Sequence, residues 1–84
     1  MKWINQKREL YQHTLTGMKA TKNKLKFEIN DYTEGWGSKH LGWYVFITDT
    51  VNDKRYNSLW NNLWFIELEV AQAWCEEYAK TKRP

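Results

Sequence analysis

The side chains best suited to covalent chemistry in this chain are Cys75, His13 and His40. A cysteine nucleophile needs a histidine next to it to accept the thiol proton. Cys75 lies on the apolar stripe of a predicted helix, where cysteine behaves as a small hydrophobic residue, and no third residue has the spacing of a catalytic triad. The sequence therefore predicts no catalytic residue, and we expect the protein not to be an enzyme.

A metal or cofactor site is not predicted either. The two histidines are far apart in the sequence, and with a single cysteine they lack the ligand spacing of a zinc site. Glu76 and Glu77 project from adjacent helix positions and do not converge. The segment "EGWGSKHLG" lacks the Gly-Lys-Ser/Thr ending of a phosphate-binding loop, although Ser38, Lys39 and His40 between glycines are able to hold an anion.

Length and charge narrow the remaining options. The chain has 84 residues, which predicts one domain over residues 1–84. Its net charge is +3, and basic residues define an N-terminal segment 1–9 and a short tail 80–84. Residues 1–26 carry seven Lys and Arg against Glu9 alone, whereas residues 27–79 carry three against nine acidic residues. This asymmetry favours separate surfaces for an acidic and a basic partner; ordinary solubilising charge is the alternative.

No membrane segment or signal peptide is predicted. The first residues, "MKWINQKREL", are polar and basic, and no stretch approaches the about 20 apolar residues of a membrane span. One cysteine cannot form an internal disulfide. The expected compartment is the cytoplasm.

Alternation of apolar and polar residues predicts the strands. One strand is "KLKFEIN", with Leu25, Phe27 and Ile29 on one face. A second is "GWYVFITDT", which is apolar on both faces near its middle and is therefore a central strand or one that meets a partner. The turn "VNDK" leads into "RYNSLW", which is predicted to return antiparallel as the next strand.

The N-terminal region allows two interpretations. Trp3, Lys7, Leu10 and Tyr11 have helical spacing, but the threonine-rich "YQHTLTGMKATKNK" is typical of a strand. We favour a first strand from about residue 10 to residue 19 that pairs with "KLKFEIN". The segment "DYTEGWGSKHLG" has no periodicity and is predicted to be a long loop that carries Trp36.

A C-terminal helix is predicted over residues 67–80, because its apolar residues fall on one stripe. The stripe comprises Leu68, Ala71, Trp74, Cys75, Tyr78 and Ala79. Asn61 or Asn62 is a candidate cap, or the helix begins near Ile66 after a strand that ends at Phe65. The expected fold class is α+β, a three- to four-stranded antiparallel β-meander packed against this C-terminal α-helix.

Three tryptophans near the helix are assigned to different environments. Trp64 continues the apolar stripe and is predicted to belong to the core. Trp60 and Trp74 are predicted to lie at the margin of the core and to contact a partner. If the helix has a second apolar face, that face contains Ile66, Val70 and Trp74 and marks an interface.

A group of lysines allows two interpretations: contact with nucleic acid, or a charged outer face that keeps edge strands from aggregating. Four lysines fall within eight positions: Lys19, Lys22, Lys24 and Lys26. Lysines beside aromatic residues are typical of surfaces that bind single strands. An order of helix, three strands and helix resembles a double-stranded-RNA-binding domain, whose last helix begins with lysines that contact phosphates. Glu67 and Glu69 occupy the matching positions here. Carboxylates repel phosphates, so the resemblance does not extend to the residues that bind RNA.

A second resemblance covers about residues 24–80. The order "KFEI", "GWYVFI", a hairpin and "ELEVAQAWCEEYAK" is similar to small, mostly uncharacterised proteins of bacteriophages and other mobile elements. Such proteins often act by binding a host machine, and they include anti-CRISPR and other anti-defence inhibitors. The resemblance implies a protein that modulates a host protein or protein–nucleic-acid complex, and it supplies no functional residues.

Three hypotheses of function follow. The preferred one is a non-enzymatic, phage-type interaction protein that inhibits a host complex by occlusion. Its predicted contact residues are Trp36, Tyr44, Trp60, Trp74, Glu69, Glu76 and Glu77. The alternative is direct binding of DNA or RNA through a basic, aromatic-lined sheet face that uses the four lysines. The third is a self-associating subunit, seen as a homodimer.

Overall fold

The computed structural model describes residues 1–10, 13–34 and 39–81 of the chain. These residues form β1 (Ile4–Leu10), β2 (His13–Lys22), β3 (Leu25–Glu34), β4 (Lys39–Asp49), β5 (Lys54–Asn57), a short 3-10 helix (Ser58–Asn61) and α1 (Leu68–Thr81). The strands make one sheet in the order β1-β2-β3-β4-β5, with every neighbouring pair antiparallel. The α+β class is confirmed, but the sheet has five strands rather than three to four.

The N-terminal segment, for which the sequence allowed a helix or a strand, is the strand β1. It pairs with β2 along its whole length, from Ile4 opposite Lys19 to Leu10 opposite His13. This pairing gives the backbone groups along one edge of β2 their hydrogen-bond partners. β2 starts at His13 rather than near residue 10, and it pairs with β3 as predicted.

The hydrophobic core lies between α1 and one face of the sheet. The sheet contributes alternate residues of β3 and β4: Leu25, Phe27, Ile29, Val45 and Ile47. The helix contributes small residues that are completely buried: Ala71, Cys75 and Ala79. Small residues on this stripe let the helix pack closely on the sheet. The predicted strand alternation and the helical stripe are both confirmed in this core.

The predicted long loop after "KFEIN" is wrong for most of its length. β3 continues to Glu34 and β4 begins at Lys39, and these two residues pair with each other. The register shifts at Tyr32 and Thr33, which gives β4 one extra residue, Leu41, at this point. A bulge interrupts the alternation on which a strand prediction depends, and this explains why the sequence pattern indicated a loop.

The turn between β4 and β5 occupies residues 50–53, one position earlier than the predicted "VNDK", because Lys54 already belongs to β5. The carboxylate of Asp49 accepts hydrogen bonds from the backbone N–H groups of Val51 and Asn52, both at 3.0 Å, and from Asn52 Nδ2 at 2.9 Å. The side chain of Asn52 and these backbone donors stabilise the ionised carboxylate and lower the pKa of Asp49. Asp53 adopts a left-handed φ of 53°, which Asp tolerates better than most residues.

β5 is shorter than the predicted strand "RYNSLW" because the chain leaves the sheet at Ser58. Asn57 caps the 3-10 helix by accepting a hydrogen bond from the backbone N–H of Leu59 at 2.9 Å. Ser58 is fully buried, and its hydroxyl accepts the N–H of Val45 at 3.0 Å. The hydroxyl thus takes the place of a strand carbonyl where β5 has ended.

After the 3-10 helix the chain rejoins the sheet at Phe65. The backbones of Phe65 and Trp43 exchange two hydrogen bonds, of 2.7 and 2.8 Å. Gly42 has a φ of +150°, and a Cβ at this position would lie 2.4 Å from the carbonyl oxygen of Phe65. The chain here is extended, as one of the two interpretations of the helix start predicted, and α1 begins only at Leu68.

An aromatic cluster closes the core beside β5. Trp74 stacks on Tyr56 with ring centroids 5.9 Å apart and planes inclined by 18°, and it also contacts Tyr78 at 5.4 Å and Phe65 at 5.9 Å. Burial, with the nearby Tyr56 and Asp49, raises the pKa of Tyr78. Trp74 was predicted to contact a partner from the margin of the core, but its half-buried ring packs against three aromatic residues of its own chain.

Polar contacts with residues outside the strands also hold α1 in place. Asn23 Nδ2 donates a hydrogen bond to the carbonyl oxygen of Ala79 at 3.2 Å, close to the C-terminal end of the helix. The ammonium group of Met1 donates to Glu76 Oε1 at 3.1 Å. Glu76, which was predicted to bind a partner, is therefore engaged within the chain.

Candidate binding surface on the open face of the sheet

The face of the sheet that α1 does not cover, called the open face below, is built from alternate strand positions. The strand registers arrange its residues in rows that cross the sheet. Three of these rows are Thr21, Lys26, Thr48 and Arg55; Ile4, Lys19, Glu28 and Phe46; and Gln6, Gly17, Asn30 and Tyr44. Side chains that are distant in sequence are neighbours on this face.

Three lysines of the open face line one groove, called the lysine groove below. Lys2, Lys19 and Lys26 surround a volume of about 520 Å³, together with Ile4 and Glu28. All three lysines are exposed, and Ile4 adds an exposed apolar side chain to the lining. Three ammonium groups against one carboxylate give the groove a positive potential, which attracts anions.

The open face also carries the ring cluster, defined as Tyr32, Tyr44 and Trp64, which begins at the row of Tyr44. Tyr32 lies 6.4 Å from Tyr44 in an edge-to-face arrangement and 5.5 Å from Trp64. Trp64 is 44% exposed, and the two tyrosines are half-buried. The prediction that Trp64 belongs to the core is wrong, because the extended backbone alternates and buries Phe65 instead. The rings support one another and leave part of their surface in solvent.

A pair of amides occupies the row of Tyr44. Gln6 Nε2 donates a hydrogen bond to Asn30 Oδ1 at 3.0 Å, although β2 separates their strands. Gly17 lies between them in β2, so no side chain blocks the contact. Asn30 is only 5% exposed, and the hydrogen bond satisfies one of its polar atoms.

The helix presents a surface of opposite charge on the other side of the molecule. This outer helix surface comprises exposed residues of α1 and of the two positions that precede it: Ile66, Glu67, Glu69, Val70, Ala73, Glu77 and Lys80. Ile66 is 73% exposed and Val70 is 50% exposed, so apolar side chains alternate with carboxylates. Part of the uneven charge of the sequence is thus divided between these two surfaces, which lie on opposite sides of the sheet.

The structure separates the four lysines that the sequence grouped together. Lys19 and Lys26 lie on the open face and line the lysine groove. Lys22 falls on the other side of β2 by alternation, and Lys24 lies in the turn after β2 with a φ of 63°. Sequence reasoning missed Lys2, because its place in the same groove as Lys19 depends on the pairing of β1 with β2.

The predicted aromatic contact residues are also separated. Tyr44 belongs to the ring cluster, and Trp60 is 67% exposed. Trp36 lies outside the described residues. The ring cluster also contains Tyr32, which sequence reasoning had assigned to a loop. Its place in the continuing alternation of β3 was the signal that could have identified it.

The candidate nucleophile is poorly suited to catalysis. Cys75 is fully buried, and its burial, with a smaller contribution from Glu76, raises the pKa of the thiol to about 12. His40 Nδ1 hydrogen-bonds Asp31 Oδ1, and its ring packs at 5.1 Å against Trp43. Among the residues of the three described ranges, no three His, Cys, Asp or Glu side chains converge as metal ligands.

Within the part of the chain that the structure describes, no helix combines the length and the apolar character needed to cross a bilayer. Comparison with known proteins was also negative: no protein-family model, curated protein or solved structure matches this chain. Any proposal of function therefore depends on the surfaces described above.

Proposed function

We propose that this protein is a non-enzymatic binding module that contacts nucleic acid through the open face of its sheet. The observation that supports this most directly is the placement of the lysine groove and the ring cluster on one uncovered surface. Ammonium groups neutralise phosphates, and aromatic rings offer surfaces on which bases stack. The two features together provide affinity for a nucleic acid chain without sequence readout.

The distribution of charge over the two sides of the molecule favours contact of a polyanion with the sheet rather than with the helix. In the three rows of the open face, Lys19, Lys26 and Arg55 stand against Glu28 alone, and Lys2 adds a further cation in the groove. The outer helix surface carries mainly carboxylates, which repel phosphates. A polyanion that approaches the protein is therefore guided toward the sheet and away from the helix.

The test is fluorescence anisotropy with labelled DNA and RNA of about 20 nucleotides, single- and double-stranded, at several salt concentrations. Lys19→Glu with Lys26→Glu reverses two charges of the lysine groove. Lys22→Glu with Lys80→Glu makes the same change in net charge away from the open face. We expect the first double variant to lose roughly tenfold or more in affinity, with a shallower dependence on salt, because each lost phosphate contact removes about 0.7–0.9 from the slope.

The control pair decides whether the open face or the net charge is responsible. Lys22→Glu with Lys80→Glu is expected to weaken binding only slightly. Equal losses in both double variants would show a diffuse charge effect, and no binding at low salt would remove the nucleic-acid proposal altogether.

A second candidate function is the one that the sequence preferred: a phage-type protein that occludes a host protein complex, such as a nucleic-acid-handling or defence complex. The observation that favours it is the outer helix surface, where exposed Ile66 and Val70 lie among the carboxylates of Glu67 and Glu69. Exposed apolar side chains often mark interfaces, and the carboxylates match a basic groove on a partner. For either function we propose a cytoplasmic location.

Charge reversal on the helix separates the two candidates. Glu69→Lys with Glu77→Lys is the suitable variant, because Glu76 is bound to the ammonium of Met1 and its replacement would also disturb this contact. A host-complex inhibitor loses capture of its partner in this variant, whereas a nucleic-acid-binding protein keeps or gains affinity. Sedimentation of the same samples at micromolar concentration reports whether the chain forms a homodimer.

A further inference from the structure

The lysine groove and the ring cluster lie at different places on the open face. Their separation indicates whether a single strand or a duplex fits this face. Lys26 and Tyr32 are on the same face of β3, six positions apart, which corresponds to roughly 20 Å along the strand. The lysine groove and the ring cluster therefore cannot contact one and the same nucleotide. A ligand that uses both must extend along the strand direction.

The ring cluster favours a ligand with accessible base faces. Tyr32 holds Trp64 at 5.5 Å and Tyr44 at 6.4 Å, so the rings are supported from the side, and Trp64 keeps nearly half of its surface in solvent. A base can stack on such a ring only after it has left its own stack. A duplex offers phosphates and base edges to a sheet, and it would leave these rings unused.

Glu28 lines the lysine groove on the side nearer to the ring cluster, and it argues against a continuous track of phosphates from one feature to the other. It is next to Lys19 in its row, and it lies between Lys26 and Asn30 on the open side of β3. A phosphate placed over Glu28 would be repelled, whereas an uncharged base would not. The open face thus offers the lysine groove to phosphates and the ring cluster to bases.

Resting on the proposed function, we propose that the open face binds single-stranded nucleic acid along β3. Phosphates lie in the lysine groove on Lys2, Lys19 and Lys26, and unstacked bases lie against Tyr32, Tyr44 and Trp64. The length of about 20 Å corresponds to the short end of the about 4–16 nucleotides that sheet surfaces of single-strand-binding domains occupy.

The first experiment compares one labelled sequence of about 12 nucleotides as a single strand and as a duplex, at a salt concentration of about 50 mM. Wild type, Trp64→Ala and Trp60→Ala are titrated. Trp60 is the matched control, because it is a strongly exposed tryptophan outside the ring cluster. We expect Trp64→Ala to lose roughly fivefold or more in single-strand affinity, Trp60→Ala to bind as wild type does, and the duplex to bind more weakly to all three.

A second measurement with the unmodified protein guards against a loss of fold in Trp64→Ala. Abasic sites in the single strand remove the bases and keep the phosphates, so affinity is expected to fall by a similar factor. Trp64→Phe retains an aromatic face and is expected to restore most of the affinity.

Three outcomes would overturn the proposal. Duplex affinity equal to or above single-strand affinity would show that the rings are not used for stacking. Abasic strands that bind as tightly as intact ones would show the same. Either result leaves nucleic-acid binding itself in place, whereas a complete lack of binding to every probe would also remove the proposed function.

Discussion

Gln6 and Asn30 are joined by a side-chain hydrogen bond of 3.0 Å across an intervening strand, and this contact depends on Gly17 between them. A Cβ at Gly17 would lie 2.2 Å from the carbonyl oxygen of Ile29 and 3.3 Å from Asn30 Oδ1. The first distance is to backbone, which cannot move without disturbing the pairing of β2 with β3. Gly17 is therefore required for space rather than for an unusual dihedral angle.

Gly17→Ala is expected to destabilise the fold by about 3 kcal/mol, because the methyl group forces β2 and β3 apart. Gln6→Ala, which removes the hydrogen bond and leaves the strand spacing unchanged, is expected to cost only about 1 kcal/mol. Urea unfolding of both variants measures the difference. A Gly17→Ala variant as stable as wild type would contradict the close approach of Ile29.

Ser58→Ala is expected to destabilise the protein by about 1–3 kcal/mol. The reason is that the buried N–H of Val45 donates to Ser58 Oγ at 3.0 Å and would be left without an acceptor. Thermal unfolding followed by circular dichroism provides the measurement, since each 1 kcal/mol shifts the midpoint of a domain of this size by about 4–8 °C. Asn61→Ala, at an exposed position nearby, serves as the control, and its midpoint of thermal unfolding is expected to equal that of wild type.

Trp74 and Trp60 are expected to differ in their contribution to stability. Trp74→Ala removes a ring that stacks on Tyr56 and contacts Phe65 and Tyr78, which should cost about 2–4 kcal/mol. Trp60→Ala removes a side chain that is 67% exposed and should change the free energy of unfolding by about 0.5 kcal/mol or less. Equal effects in denaturant titrations would contradict the packing of the aromatic cluster.

The parts of the fold that the sequence predicted correctly are those with an uninterrupted period. Leu25, Phe27 and Ile29 alternate without a break, and Cys75 and Ala79 continue one helical stripe, so both patterns locate the core. The turn "VNDK" was equally clear, because Asn and Asp tolerate its backbone. In each case the signal is local and needs no knowledge of distant residues.

The errors arose where a local pattern was interrupted or extended too far. Trp64 and Leu68 are four positions apart and mimic a helix, but the backbone pairing of Phe65 with Trp43 makes this segment extended. The bulge at Leu41 concealed the start of β4. The lysine groove was unpredictable for a different reason: its shape depends on strand registers that join residues far apart in sequence.

Cys75 is expected to give stability a distinctive dependence on alkaline pH. Burial raises the pKa of its thiol from 9.0 to about 12, so below about pH 9 the folded and unfolded chains hold the proton alike. Between pH 9 and 12 the unfolded chain releases the proton while the folded chain keeps it, and stability falls. At one pH unit above the unfolded pKa this loss is about 1.4 kcal/mol.

The comparison with Cys75→Ala isolates this effect, because the two proteins share every other ionisable side chain, Tyr78 included. We expect the difference in unfolding free energy between wild type and Cys75→Ala to shrink as the pH rises from 8 to 10, measured by urea unfolding. A difference independent of pH would mean that the thiol is accessible to solvent in the native state. Slow reaction with a thiol reagent under native conditions is the companion measurement.

Glu28→Gln is expected to strengthen binding of single-stranded nucleic acid, which distinguishes Glu28 from most residues of a binding surface. Glu28 is the one carboxylate among the described residues that line the lysine groove, and it opposes Lys19 and Lys26. Its removal should raise affinity by roughly threefold to tenfold at low salt, and the gain should shrink as salt screens the charges. Glu77→Gln makes the same change on the outer helix surface and should leave anisotropy titrations nearly unchanged. If Glu28→Gln and Glu77→Gln bind with the same affinity, the carboxylate of Glu28 does not face the nucleic acid. The proposal that nucleic acid contacts the lysine groove would then be wrong.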